Sequence, residues 1–427
     1  MGQLRQTVTF ATGLYRQRAY VAYHGYLRRD PMALLNLRPG RDDPYAIYEK
    51  MRRAGTLAPT WLGNWVTTNH RVCNSVLRDR RFGVRSTELT PGAAAADFDL
   101  SFLDMDPPDH TRLRRLAQPA FSPKQMAGYR PRIEATVEGL LDRAARAEHF
   151  DVVSAFAAPL PIAVISDLMG VPDADADAFA RHGAIIGSAL DGIRSLSHAA
   201  KLQRSRAELT TLFEDLFALR RREPTDDVVS RVVAAEGDQV RPEEMLPMCV
   251  LLLLAGFETT VNLIGNAVNA LLDHPEQWAA LCADPEGMAG KAVEETLRFD
   301  PPVQRTARRA LEPLELEGRP VRQNQFVVTL IGAANRDPEA YADPARFDIN
   351  REQTADHLAF SSGIHYCVGQ PLARLEATIA LRSLAERMPG LRRAAPTRRR
   401  NGSTIRGPIS LPVRAGIPAP RTPAPTR

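Results

Sequence analysis

Cysteine is scarce: four residues in 427, Cys73, Cys249, Cys282 and Cys367, scattered along the chain. No CxxC pair, zinc-type spacing or CxxCH haem-attachment motif occurs among them. That excludes a disulfide scaffold and fits a reducing, cytoplasmic setting. Long hydrophobic runs are missing too. The strongest, from Met248 to Phe257, is half of what a bilayer crossing needs, and the N-terminus shows no signal-peptide core. An excess of one charge is also lacking: 55 basic against 50 acidic residues leaves +5, too little to argue for nucleic acid. What is present is ordinary globular composition, 44% apolar and 25% charged, with enough length for a sizeable core. There is no internal repeat and no break in composition, so the expectation is one domain over residues 31–413, acting as a monomer.

The two ends differ from the middle. Residues 1–29 carry five arginines and no acid, with Tyr15, Tyr20, Tyr23 and Tyr26 interleaved. They read as a basic N-terminal extension (1–30) with one helical piece, solvated or in contact with a membrane surface or a partner protein. Residues 414–427, rich in Pro, Ala, Thr and Arg, read as a disordered tail. Between them the pattern is mainly helical. Helices are expected at 43–53, opened by Pro44, and at 69–78, with a short strand pair over 61–68 and a mobile loop over 84–104. Pro107 marks a helix start that Asp106 can cap. Helix then dominates to about Asp300, and strands fit 314–316, 326–330 and 410–413.

One helix stands out. Pro242, Glu243 and Glu244 open it, and His274-Pro275 closes it. At 1.5 Å per residue it spans roughly 48 Å. It is apolar all round from Cys249 to Ala255, so it should run through the protein's middle. Pro247 should bend or interrupt it. Then comes Ala255-Gly256-Phe257-Glu258-Thr259-Thr260. A glycine, an acid and two threonines in a buried helix are unfavourable locally, and such violations mark functional sites.

The strongest signal is Phe360-Ser361-Ser362-Gly363-Ile364-His365-Tyr366-Cys367-Val368-Gly369. Gly363 and Gly369 permit backbone turns that other residues resist. A helix pattern follows, so Cys367 sits before a helix N-terminus, whose amides favour a thiolate. Such a sulfur could be a nucleophile, a zinc ligand or a haem ligand. Zinc held with His365 and His357 would lack a fourth ligand, since no other cysteine is near in sequence.

The same stretch resembles the haem-binding loop of the cytochrome P450 monooxygenases, FxxGxHxCxG. Four other stretches agree in order across residues 40–415. They are AGxETT at 255–260, Glu295-x-x-Arg298, Pro344-x-Arg346-Phe347, and Asp106-Pro107-Pro108-Asp109-His110-Thr111-Arg112-Leu113-Arg114. The resemblance implies a mostly α fold with small β-sheets, holding haem b between the long helix and the cysteine loop. It implies Cys367 as axial ligand to the haem iron, shielded by Phe360, with Gly363 and Gly369 shaping the loop. His110, Arg114, His365 and Arg308 would bind the propionates, Arg305 and Arg309 being rivals to Arg308. Ala255 and Gly256 would face the cofactor, Gly256 leaving room for oxygen. Glu258 and Thr259 would deliver protons. Glu295, Arg298 and Arg346 would form a buried structural triad. Electrons would come from NAD(P)H through a separate ferredoxin and reductase, the ferredoxin docking on Arg112, Arg115 and Arg374.

The implied reaction uses O2 to hydroxylate or epoxidise a moderately hydrophobic small molecule: a secondary metabolite, lipid, terpenoid or steroid. Oxidative coupling at the same haem and a non-catalytic haem or ligand binder are the alternatives. The pattern looks bacterial, from a GC-rich genome. The pocket would be walled by residues 84–104, 185–196, 251–259, 303–306 and Ile409.

Overall fold

The computed structural model describes all residues except 1, 86–98, 194, 353, 401 and 417–427. Helices make most of it, and four small sheets lie at its edges. The largest sheet runs Ala58–Pro59, Trp65–Thr67, Phe326–Thr329, Thr306–Ala310, Phe82–Gly83 in spatial order. Trp65–Thr67 pairs in parallel with Phe326–Thr329, Trp65 opposite Val327; the other pairs are antiparallel.

The early helices start where capping chemistry puts them. Asp43 accepts from the Tyr45 amide at 2.9 Å and opens Pro44–Arg53. Asn69 accepts from the Val72 amide at 3.1 Å and opens His70–Arg78. Asp106 does something else. Its carboxylate accepts from the amides of Val84 (2.8 Å) and Arg85 (3.3 Å), so the helix starts only at Asp109 and runs to Ala117, with Pro108 in the cap position. Asp106 thus fixes the near end of the 84–104 segment. Residues 86–98 of the expected loop lie outside the described residues, and Ser101–Leu103 forms a turn of 3-10 helix.

The long helix runs without a break from Pro242 to Asp273. Pro247 does not interrupt it. The hydrogen bond its ring removes would have gone to the carbonyl of Glu243, an exposed residue where water can substitute. An 18-residue stretch has mean hydropathy 1.8, long and apolar enough to cross a membrane, yet 78% of it is buried inside the protein. Taken as a whole helix, it is thus more apolar than its longest uninterrupted run implies. Leu251 to Leu254 are all buried, whereas Ala255 is exposed in the middle of this core.

At the ends, the first helix (Gly2–Ala22) continues as a wide turn over Tyr23–Leu27. Tyr20 and His24 each place their rings 5.0 Å from that of Trp61. At the other end the strand expected over 410–413 is two strands, Pro408–Ser410 and Pro412–Arg414, in different sheets. Leu411 between them is fully buried and turns the chain from one to the other. Arg414, assigned above to the tail, ends a strand, and the Ala415 amide bonds the Glu148 carbonyl at 3.0 Å.

Candidate functional site

The cysteine loop is held as a closed turn. The Cys367 amide donates to the Phe360 carbonyl at 2.9 Å. Gly363 has φ +68°, and a Cβ there would lie 2.5 Å from the Leu77 carbonyl oxygen, so only glycine fits. Gly369 differs: its φ is −86°, and a Cβ would make ordinary contact with Phe121 at 3.6 Å.

Helix Gln370–Arg387 begins three residues after Cys367. Burial pushes the thiol above its ordinary range; the amides of Gly369 and Gln370 and the guanidinium groups of Arg114 and Arg374 pull the other way without reversing it. A thiolate here needs a stronger electrophile at the sulfur than the protein supplies. Behind it, Phe360 is buried with the Arg374 guanidinium 4.6 Å from its ring centre. Arg374 pairs with Glu294 at 2.6 Å, and the same carboxylate meets His357 Nε2 at 3.1 Å. His357 is thereby engaged away from Cys367, and among the described residues no three of His, Cys, Asp and Glu converge as a metal-binding group.

Beside the loop lies a basic cluster that makes no ion pair among the described residues. His110 is buried, 4.3 Å ring to ring from His365. Neither ring nitrogen of His110, nor Nε2 of His365, has a hydrogen-bond partner. Arg308 on strand Thr306–Ala310 is buried and bonds only neutral oxygens: Thr306 Oγ1 (3.1 Å), the Ala307 carbonyl (3.0 Å) and Ser361 Oγ (3.4 Å). Burial pushes it down to about 10. His365 is pushed down to about 3, by burial first and then by Arg308, His110 and Arg114. Arg114 reaches the Tyr366 carbonyl at 2.5 Å. Asp106 acts on His110 and Arg308 only from beyond salt-bridge distance, its carboxylate taken by the Val84 and Arg85 amides. These two imidazoles and two guanidiniums, with no ion pair among the described residues, therefore form a receptor for an anion. The rivals to Arg308 are engaged elsewhere: Arg305 with Asn36 and Ser403, Arg309 with the Arg85 carbonyl and Asn324.

On the long helix the four neighbours separate. Ala255 is exposed. Gly256 turns its bare side toward helix Pro159–Met169, where a Cβ would lie 2.9 Å from Ile165 Cδ1. Its glycine is explained by helix–helix approach, in place of the room for oxygen expected above. Thr259 donates its hydroxyl to the Ala255 carbonyl at 2.8 Å. Glu258 is buried and ion-paired with Arg400, and its carbonyl accepts from Asn262 at 2.7 Å. Arg400 lies in the C-terminal hairpin, far away in sequence, and no local pattern singles it out. Of the expected pocket wall, helix Asp173–Gly187 packs on Leu253 and Glu258, whereas Ile409 is 49% exposed.

The triad is real but differently staffed. Arg298, fully buried, forks onto Glu295 at 2.8 and 2.7 Å. Its remaining donors reach the carbonyls of Asn335 (3.0 Å), Pro344 (2.8 Å) and Arg346 (2.9 Å). Arg346 gives only that carbonyl; its side chain is 62% exposed and faces Asp348. The third member is Arg351, 3.2 Å from Glu295, a residue no local pattern singles out. Of the three arginines expected to dock the electron donor, two are already ion-paired within the protein. Arg112 is held by Glu244 at 2.7 Å and Asp109 at 3.0 Å, and Arg374 by Glu294, leaving Arg115 exposed.

Residues 288–387 match the family model Cytochrome P450. The chain is 43% identical over 374 residues to cytochrome P450 107B1 of Saccharopolyspora erythraea, covering 83% of this chain and 90% of that protein. It belongs to the cytochrome P450 family. The 6-deoxyerythronolide B hydroxylase of the same organism is 35% identical over 394 residues, 87% of this chain and 96% of that one. The solved structure of P450BioI in complex with acyl carrier protein ligated to hexadec-9Z-enoic acid superposes with a TM-score of 0.82 at 37% identity, covering 87% of this chain and 98% of that one. This P450 is therefore a bacterial-type oxidoreductase of the monooxygenase family, which uses haem iron.

Proposed function

We propose that this P450 oxygenates a moderately hydrophobic secondary metabolite or lipid in the cytoplasm, taking electrons from NAD(P)H through a separate ferredoxin and reductase. The observation that carries the site assignment is the unpaired imidazole–guanidinium cluster beside Cys367. Haem has two propionates, and His110, His365, Arg308 and Arg114 would hold them, while Cys367 would ligate the iron from the loop side. Haem bound there supplies the iron that activates dioxygen and transfers one oxygen atom to substrate.

The chain's own residues do the rest. Phe360 and the ion pair Arg374–Glu294 keep water from the sulfur. The buried leucines 251–254 keep water from the long-helix side. Thr259 holds a proton on its hydroxyl close to the exposed Ala255. Glu258, held as a carboxylate by Arg400, would take a proton from water and pass it on to that hydroxyl. The substrate class rests on the aliphatic residues of the long helix and on two relatives. P450BioI is seen with a fatty acyl chain, and another relative is named for hydroxylating 6-deoxyerythronolide B.

The test is spectral. Protein expressed with a haem precursor should come out coloured, and its reduced CO complex should show the red-shifted Soret band of thiolate ligation. Cys367→Ser should lose that band and turnover together. A colourless product, or a serine variant with the parental spectrum, would overturn the assignment. A type I spectral screen of lipids and macrolactones then identifies the substrate class.

A further inference from the structure

The N-terminal segment plays no part in the chemistry above, yet its surface is unusual. Eleven large hydrophobic side chains are strongly exposed among the described residues, and six of them belong to this corner: Tyr15, Tyr20, Tyr23, Tyr26, Leu27 and Leu62. On helix Gly2–Ala22 and the turn that continues it, Thr12, Tyr15, Arg16, Ala19, Tyr20 and Tyr23 are all exposed. Their spacing of i, i+3, i+4, i+7, i+8, i+11 puts them on one face. The contacts of Tyr20 and His24 with Trp61 bring the turn Thr60–Gly63, with Leu62 on it, to the base of this face. Arg16, Arg18, Arg28 and Arg29 are exposed around it, and residues 1–29 contain no acid.

We propose that this face, with the Trp61–Leu62 turn, docks the protein on the surface of an anionic lipid bilayer. The chemistry matches in both components. Tyrosine, apolar in body and polar at its tip, is enriched at headgroup depth. Arginine extends from an apolar stem to reach lipid phosphate, which it binds in a forked geometry. A helix lying in the headgroup layer needs no pocket on either side, only an exposed face of this composition. Leu27 and Leu62 supply the short apolar insertion. Neither is long enough for a permanent anchor, so binding is peripheral and salt-sensitive. The proposal is independent of how the haem site works.

Full-length holoprotein is sedimented with vesicles of phosphatidylcholine alone and of phosphatidylcholine with phosphatidylglycerol. Pelleting should occur with the anionic vesicles and fall away at about 1 M salt, where the Debye length is about 3 Å. The triple variant Arg16→Gln/Arg28→Gln/Arg29→Gln should partition on the order of 100-fold more weakly. Leu27→Ser/Leu62→Ser should weaken binding while leaving its salt dependence in place. The CO spectrum of each variant reports that the domain is folded. Equal binding to both vesicle types, no binding to either, or a triple variant that binds like the parent would each overturn the proposal. An acidic protein captured where vesicles fail would count as one of these failures.

Discussion

Two buried groups of cations sit close to the same cysteine loop, and they are built on opposite plans. Around Arg298 every donor has an acceptor: Glu295 takes two, three carbonyls take the rest, and Arg351 pairs with the same carboxylate. Around Arg308 the nearest partners are neutral oxygens, and the adjoining His110 has two ring nitrogens with none. A saturated cluster is complete in the protein alone and fixes the chain. A cluster short of its anions costs free energy until something fills it, which is what a receptor looks like before its ligand is counted. The contrast separates architecture from binding between two guanidiniums, Arg298 and Arg308, that are both buried.

The largest expected effect breaks the saturated side. Arg298→Ala leaves the buried Glu295 carboxylate with Arg351 alone as cation and three carbonyls without their donor. It should cost about 3–5 kcal/mol in denaturant unfolding of protein without haem. A loss that appeared only with haem present would erase the distinction. Next, Arg308→Met removes a buried cation that makes no direct ion pair, Asp106 acting on it only from a distance. It should leave the stability of haem-free protein unchanged or higher, and weaken haem retention by about 10- to 100-fold, the worth of hydrogen bonds to a charged group. Competition for haem by apomyoglobin measures it, and equal losses with and without haem would sink the receptor reading.

Glu376 supplies a third case, a buried carboxyl with one oxygen lacking any partner and nothing near it to bind. Burial raises its pKa well above the ordinary value. Its contribution is therefore most favourable below about pH 4.3, the unfolded value, and is lost as pH rises through the folded one. Glu376→Met should remove that slope and add roughly 1–3 kcal/mol at neutral pH. A pH–stability profile identical to the parent's would refute it. The smallest effect is Arg346→Ala, whose side chain points outward; it should change stability by no more than about 0.5 kcal/mol. Arg351→Ala should cost several times more, which checks the reassigned third member of the triad.

What could be read from the sequence was whatever is decided within a few neighbours. The bounds of the long helix follow from Pro242 and His274-Pro275, the loop turn from Gly363, and the Glu295–Arg298 fork from three-residue spacing on one helix. What could not be read was the choice among chemically equal candidates. Arg346 and Arg351 are five residues apart, and only the packed chain shows which one turns inward. Asp106 is a good cap by type, but two amides from another segment claim it first. The bare side of Gly256 meets a helix ninety positions earlier, and the partner of Glu258 comes from a hairpin at the far end of the chain. Each of these is a tertiary competition that local pattern does not record.

That hairpin joins Arg398–Arg399 to Pro408–Ser410, and the Arg400 amide bonds the Gly407 carbonyl at 2.9 Å. Its placement has an order-of-assembly consequence. The helix carrying Glu258 is synthesised before Arg400 leaves the ribosome, so the acid waits without its cation while a further 142 residues (400 − 258) are added. A product cut short before residue 400 would retain the cysteine loop and both cation clusters, with Glu258 unpaired in the core and Asp300 deprived of Arg406. Completeness of the polypeptide is thereby written into the electrostatics at its centre.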